Sequence, residues 1–279
     1  MTQPALDPTT TRAIDLQVEV KGTPEEVWET IATGPGITGW FVPSSVDGRL
    51  GGTVTMTFGP GMDESGPITV WEPPRRLMYS DGSGRNLAYE FTVEARDGGI
   101  CTVRLVNSGF GAGTEWDGEI ESMTAGWKLF LTNLALVHER FAGQPAASVM
   151  TMGMATGSIP EAFATLTASL GLPANPAVGE RIAVSTPGLP LLAGTVVRTT
   201  GTMMTLLVDA PSPGTAFLAA EPYQGSVLAH LYIYQFGDAA IAALRKTEPA
   251  WQAWMSRTFA PMQPPAAIEP AADQSPATA

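Results

Sequence analysis

The chain has 279 residues, 44% of them hydrophobic and 15% charged, and a net charge of −12 from 27 acidic against 15 basic side chains. That much apolar material can fill one large core or two ordinary ones, and it excludes wholesale disorder. There is no basic footprint for nucleic acid, no polybasic membrane anchor, and no apolar run near the ~20 residues of a spanning helix. The first residues lack the basic-then-apolar pattern of a secretory signal, so a soluble, cytoplasmic protein is expected. One cysteine, Cys101, and two histidines, His138 and His230, leave no internal disulfide, no thiolate site and no histidine-rich site. Neither metal nor cofactor is expected.

Ile14 to Val20 alternate apolar and polar residues, the mark of a half-buried strand with Ile14, Leu16, Val18 and Val20 inward. Thr23-Pro24-Glu25-Glu26 opens a helix, with Thr23 as N-cap, Pro24 in the first turn and Glu26 closing a capping box. A short helical turn is expected over Ile37–Phe41. Strands follow at Thr53–Phe58, Gly66–Trp71, Arg76–Ser80, Leu87–Ala95 and Cys101–Asn107, with Pro73-Pro74 and Asp97-Gly98-Gly99 forcing turns between neighbours. From Trp116 to Phe141 the apolar residues Met123, Trp127, Phe130, Leu131, Leu134, Val137 and Phe141 recur every three or four positions, a wide helical stripe. Residues 12–142 thus read as an antiparallel sheet closed by a long helix, an α+β layer architecture of the helix-grip kind.

Residues 143–157, rich in Ala, Gly, Ser and Met, read as a linker. Residues 158–260 then repeat the order of helix, strands and long helix about 130 residues on. A helix is expected from Ser158, strands near 180–184, 194–196, 216–221 and 227–236, and a final helix over Asp238–Phe259 interrupted by Pro249. This reads as a degenerate second helix-grip copy. Residues 261–279, rich in Pro, Ala and Gln, read as a disordered tail.

Familiar catalytic motifs are absent: no nucleophile elbow, no phosphate loop, no metalloprotease pair. Gly109 to Gly113 lacks the third glycine of a dinucleotide loop and reads as a flexible loop. The acidic pairs Glu25/Glu26, Asp63/Glu64 and Asp117/Glu119 read as solvated surface. His138 reads as a helix-end or solvated histidine, His230 as a satisfied, partly buried one, and Cys101 as an inert core thiol.

Four pieces, in order, carry a resemblance. They are Trp40-Phe41-Val42-Pro43 with Gly51-Gly52-Thr53-Val54; Gly66 followed by Trp71-Glu72-Pro73-Pro74-Arg75-Arg76-Leu77; Cys101 to Phe110; and Gly126-Trp127-Lys128 with Leu131 and Leu134. Across residues 12–142 the chain resembles the START/Bet v 1-like superfamily, and more narrowly the family named after the activator of the Hsp90 ATPase. The resemblance implies a cavity between sheet and long helix. Family members often carry histidine where this chain has Asn107, which leaves that position without the acid–base group. Strand and helix parity nominate the lining: Met56, Phe58, Tyr89, Phe91, Leu105 and Asn107 from strands, Met123, Trp127 and Phe130 from the helix, and Trp40 and Phe41 at the lip.

Three functions fit. The first is a module that binds a small hydrophobic or aromatic molecule. The second is a chaperone-assisting module with a protein partner. The third is a polyketide cyclase- or dehydratase-like enzyme, for which Tyr89 and Asn107 are the inward polar candidates. The scarcity of inward titratable groups weighs against the third, and no catalytic residue is assigned.

Overall fold

In a computed structural model the chain is described over residues 11–59, 62–82, 85–223 and 225–262. Strand β1 (Thr11–Lys21) buries Ile14 and Val20 and exposes the polar residues between. Helix α1 (Pro24–Ala32) opens as the capping signal predicts: the Glu26 N–H donates to Thr23 Oγ1 at 3.3 Å, and the Thr23 N–H donates to the Glu26 carboxylate at 2.9 Å. Helix α2 (Gly34–Thr38) begins three residues earlier than expected. The cause is Thr33, whose hydroxyl accepts from the Gly36 N–H at 3.1 Å and starts the helix ahead of Pro35. Trp40 and Phe41 therefore lie in the loop that follows.

Strands β2 (Ser44–Val46), β3 (Thr53–Thr57), β4 (Asp63–Glu72), β5 (Arg76–Ser80), β6 (Ala88–Arg96) and β7 (Ile100–Gly111) complete a seven-stranded antiparallel sheet. Its order is β1-β7-β6-β5-β4-β3-β2. Part of the expected flexible loop at Gly109–Gly113 is strand, because residues 109–111 extend β7 to pair with β1. Gly109 has φ +101°, and a Cβ there would stand 2.2 Å from the Asn86 carbonyl oxygen, so the close approach requires glycine. Helix α3 (Asp117–Phe141) closes this half.

The second half repeats the plan. Its elements are β8 (Ala146–Ala155), α4 (Ile159–Ser169), β9 (Arg181–Ala183), β10 (Ala193–Thr199), β11 (Met203–Ala210), β12 (Gly214–Tyr223), β13 (Ser226–Phe236) and α5 (Asp238–Thr258), with a short β14 (Ala260–Pro261). The sheet order is β14-β8-β13-β12-β11-β10-β9, so β8 and β13 stand where β1 and β7 stand in the first sheet. This second run has one helix and one strand fewer before its closing helix.

Four readings are corrected here. The linker over 143–157 is largely strand β8, paired antiparallel with β13 from Phe236↔Ala146 to Val227↔Ala155. Its small residues and methionines gave no alternation because both faces of the strand are covered. Strand β11 was not anticipated, for the same reason: Met203-Met204-Thr205-Leu206-Leu207-Val208 has no polar face. Ala260–Pro261 pairs with β8 rather than opening a tail; residues 263–279 lie outside the described residues. Helix α5 continues through Pro249, held by the burial of Leu244 before it and of Trp251, Trp254 and Met255 after it.

Strands β12 and β13 are buried on both faces. One face carries Ala216, Leu218, Leu231 and Ile233 and packs with Leu166 of α4 and with Trp251 and Trp254 of α5. The other face carries Phe217, Tyr232, Tyr234 and Phe236 and shares one core with Trp127, Phe130, Leu134 and Phe141 of α3. Helix α3 is thus clamped between the two sheets. Phe141 and Phe236 stack at 4.3 Å, and the Tyr234 hydroxyl donates to the Phe41 carbonyl at 2.7 Å. Asn133, fully buried on α3, donates to the Trp40 carbonyl at 3.0 Å and accepts from the Thr215 hydroxyl at 2.9 Å.

Candidate functional site

Between the first sheet, α3 and the second sheet lies a cavity of about 190 Å³. The first half lines it with Phe41, Met56, Phe58, Tyr89, Trp127 and Phe130, joined by Ser122, Met123 and Gly126 of α3. The second half supplies Met150, Glu221, Tyr223, Leu228 and Tyr232. The rings form one cluster: Phe41 stands 4.9 Å from Trp127 and 4.5 Å from Phe130, Tyr89 stands 5.9 Å from Trp127, and Phe130 stacks on Tyr232 at 5.7 Å and 11°. Contacts of this kind are favourable beyond the area they bury, and since the rings pack on one another the lining is formed without a ligand.

The cavity continues into an outer cleft of about 430 Å³ that shares Phe58, Tyr89, Ser122, Met123, Tyr223 and Leu228 with it. The outer part adds charge from Asp63, Glu64, Arg85 and Glu119. Arg85 Nη1 lies 2.8 Å from Glu119, and Arg85 Nε lies 3.7 Å from Asp81. Burial raises the Glu64 carboxyl above its usual range, with Arg85 opposing and the charges of Asp81 and Glu119 adding to the rise. Burial likewise pushes the phenols of Tyr89, Tyr223 and Tyr232 upward, so all three stay neutral. Glu64 and Glu119, expected on a solvated surface, instead face this cleft.

Of the eleven residues expected to line a cavity, seven meet there: Phe41, Met56, Phe58, Tyr89, Met123, Trp127 and Phe130. The other four are packed elsewhere in the core. Trp40 is 1% exposed and donates from Nε1 to the Thr30 carbonyl at 3.0 Å; Phe91 and Leu105 are buried without reaching the cavity. Asn107 spends its amide internally, donating to the Ala88 carbonyl at 3.2 Å and accepting from Trp127 Nε1 at 3.4 Å. It positions the Trp127 ring.

The wall given by the second half was missed, since the cavity was expected within residues 12–142. A signal existed: β13 reads Val227-Leu228-Ala229-His230-Leu231-Tyr232-Ile233-Tyr234, with its large aromatic residues at even positions. A strand apolar on both faces must be covered twice.

His138 stands in the last turn of α3, the helix-end placement expected, but is not solvated, and His230 departs from the satisfied histidine expected. His138 is buried, 2.9 Å by Nδ1 from the Thr30 hydroxyl. Burial lowers its pKa below the ordinary value, against the Glu26 charge and a backbone hydrogen bond at Lys21. His230 is fully buried, and among the described residues neither ring nitrogen has a hydrogen-bond partner. It stacks on Tyr232 at 4.3 Å, and its Nε2 stands 3.6 Å from Glu221 Oε1. Cys101 is buried with its thiol 3.3 Å from the Gly22 carbonyl, as expected of a core thiol.

A larger groove, about 660 Å³, runs between α1, α2 and the turn after α3. Its lining, from Glu26, Glu29, Thr30 and Thr33 to Pro35, Gly36 and residues 142–145, carries no aromatic ring.

Among the described residues no helix is long and apolar enough to cross a membrane. A search of curated proteins gives no match. Solved structures that resemble the chain include the Aha1 dimer from Colwellia psychrerythraea, at 20% identity over 46% of this chain and 97% of that one, TM-score 0.40. Another is DynU16, a protein of the dynemicin biosynthetic locus, at 20% identity over 88% of this chain and 96% of that one, TM-score 0.41. A third is CalU16 from Micromonospora echinospora, at 21% identity over 47% and 78%, TM-score 0.38. The family model described as Activator of Hsp90 ATPase homolog 1-like protein matches residues 21–139, the span from the end of β1 to the last turn of α3. Residues 21–139 of this chain are therefore similar to the activator of Hsp90 ATPase homolog 1-like family.

Proposed function

We propose that this protein binds a small hydrophobic or aromatic molecule in the cavity between α3 and the two sheets. The observation that carries the reading is the preformed aromatic lining of a cavity that two halves of the chain build together. An apolar cavity of about 150 Å³ already admits a benzene ring. The inner 190 Å³ accommodates one ring, and the outer cleft leaves room for a second ring or a substituent. Burial of such a ligand would be driven by the area it removes from water.

Gly126 provides the test. It lies on α3 at the cavity wall, and a Cβ there would meet nothing within 4 Å. Gly126→Leu fills the cavity while favouring the helix. A panel of aromatic and lipophilic compounds is screened against the full chain by thermal shift. The expected result is a saturable rise in Tm for some of them, absent in Gly126→Leu although that variant folds. No rise with any compound, or the same rise in both proteins, would overturn the reading.

A further inference from the structure

We infer that the cleft selects an aromatic ligand bearing a cationic group, an arylalkyl amine above all, which it receives on the Glu221 carboxylate beside His230. The inference rests on the ligand-binding reading above and adds the chemistry of the polar end.

Charge is the first ground. The cavity and its outer cleft together present four carboxylates, Asp63, Glu64, Glu119 and Glu221, against one cation, Arg85. Arg85 is engaged by Glu119 and lies near Asp81, and Asp63 accepts from the Thr57 hydroxyl at 2.7 Å. Glu221 stands 3.6 Å from His230 Nε2 and has acceptor capacity to offer, while Glu64 lies in the field of Arg85, Asp81 and Glu119. An anionic ligand would enter a negative field in a partly desolvated site, where repulsion is weakly screened.

His230 is the second ground, and it is independent of the acidic count. Its ring is 0% exposed with two unpartnered nitrogens, an arrangement that costs free energy unless something nearby relieves it. Nε2 faces Glu221 at 3.6 Å, too long for a hydrogen bond. Glu221 reaches the cavity and His230 stands behind it, stacked on Tyr232, itself a lining residue. A donor arriving at one Glu221 oxygen leaves the other to draw onto Nε2. Neutral phenols of Tyr223 and Tyr232 flank the same spot. Among the described residues no three acidic, histidine or cysteine groups converge as a metal would require, so an organic donor suits the site.

The test uses the full chain at pH 8 and three compounds of one ring system: 2-naphthylmethylamine, 2-naphthol and 2-naphthoate, titrated calorimetrically. The amine is expected to bind at least about tenfold more tightly than the carboxylate, because its hydrogen bond is charge-assisted. Glu221→Gln, nearly isosteric, should shrink that ratio to about threefold or less and leave 2-naphthol affinity unchanged; Glu64→Gln should have a smaller effect. Equal or tighter binding of naphthoate would overturn the inference, as would an amine preference that survives in Glu221→Gln. If none of the three compounds binds, the ligand-binding reading fails with it; if 2-naphthol binds without an amine preference, only this inference fails.

Discussion

Trp127 holds the candidate site together. It is 5% exposed, packs against Phe41, Tyr89, Phe91 and Phe130, and donates to Asn107. Trp127→Ala would leave a void beside an existing cavity, and denaturant unfolding should show a loss of about 3–5 kcal/mol. Near-neutral stability would mean that the neighbouring rings collapse onto the site. The helical stripe identified Trp127 as inward from sequence alone. That Asn107 faces its indole depends on the register of β6 and β7, which pairs Tyr89 with Asn107. His138 carries a second prediction at this scale. Its folded-state pKa lies below the unfolded value near 6.5, so the unfolded chain binds the proton more readily. The stability this neutral, buried imidazole confers is complete above pH 6.5 and is lost as pH falls below it. Compared with His138→Gln, the native chain should lose more stability between pH 7.5 and pH 5.5, as read by urea midpoints. Equal losses in the two proteins would contradict the burial argument. The polar neighbours that set this balance are Thr30, Glu26 and Lys21, all in the first half.

Helix α3 is the element on which both halves converge. Its stripe of Trp127, Phe130, Leu134 and Phe141 was legible because a 3.6-residue period survives whatever the stripe packs against. The partner of that stripe was not legible. Gly126 lies within the helix without any steric need, since nothing lies within 4 Å of where a Cβ would stand. Gly126→Ala should therefore raise stability by about 0.5–1 kcal/mol through the backbone entropy of the unfolded chain. A decrease in the denaturation midpoint would mean that the glycine serves a motion of α3. Strands β1 and β6 were readable because one face of each is polar; β8 and β11 were not, because both faces of each are apolar or small.

At the scale of the molecule, the two halves share a core. Phe217, Tyr232, Tyr234 and Phe236 belong to the same buried cluster as Val27, Leu105 and Trp127. Calorimetry of the full chain should accordingly show one cooperative transition, and two well-separated transitions would contradict the shared core. Asn133 is the sharpest probe of that union. Asn133→Ala strands the Trp40 carbonyl and the Thr215 hydroxyl in a dry interface, at a cost of about 2–4 kcal/mol. That loss should lower the single midpoint rather than split it.

Local signals in the sequence were sufficient for the elements whose cause is local: the Thr23–Glu26 cap, the alternation of β1, the stripe of α3 and the repeated order of helix, strands and helix. Such features depend on neighbours within a few positions, so the chain carries them in its spelling. Tertiary structure decided the rest. The cavity has a second wall because β12 and β13 fold back across α3, and Glu221, His230 and Tyr232 come to the site from about a hundred residues away. No period or motif encodes which sheet covers an exposed helix face; burial of the aromatic side of β13 against α3 settles it.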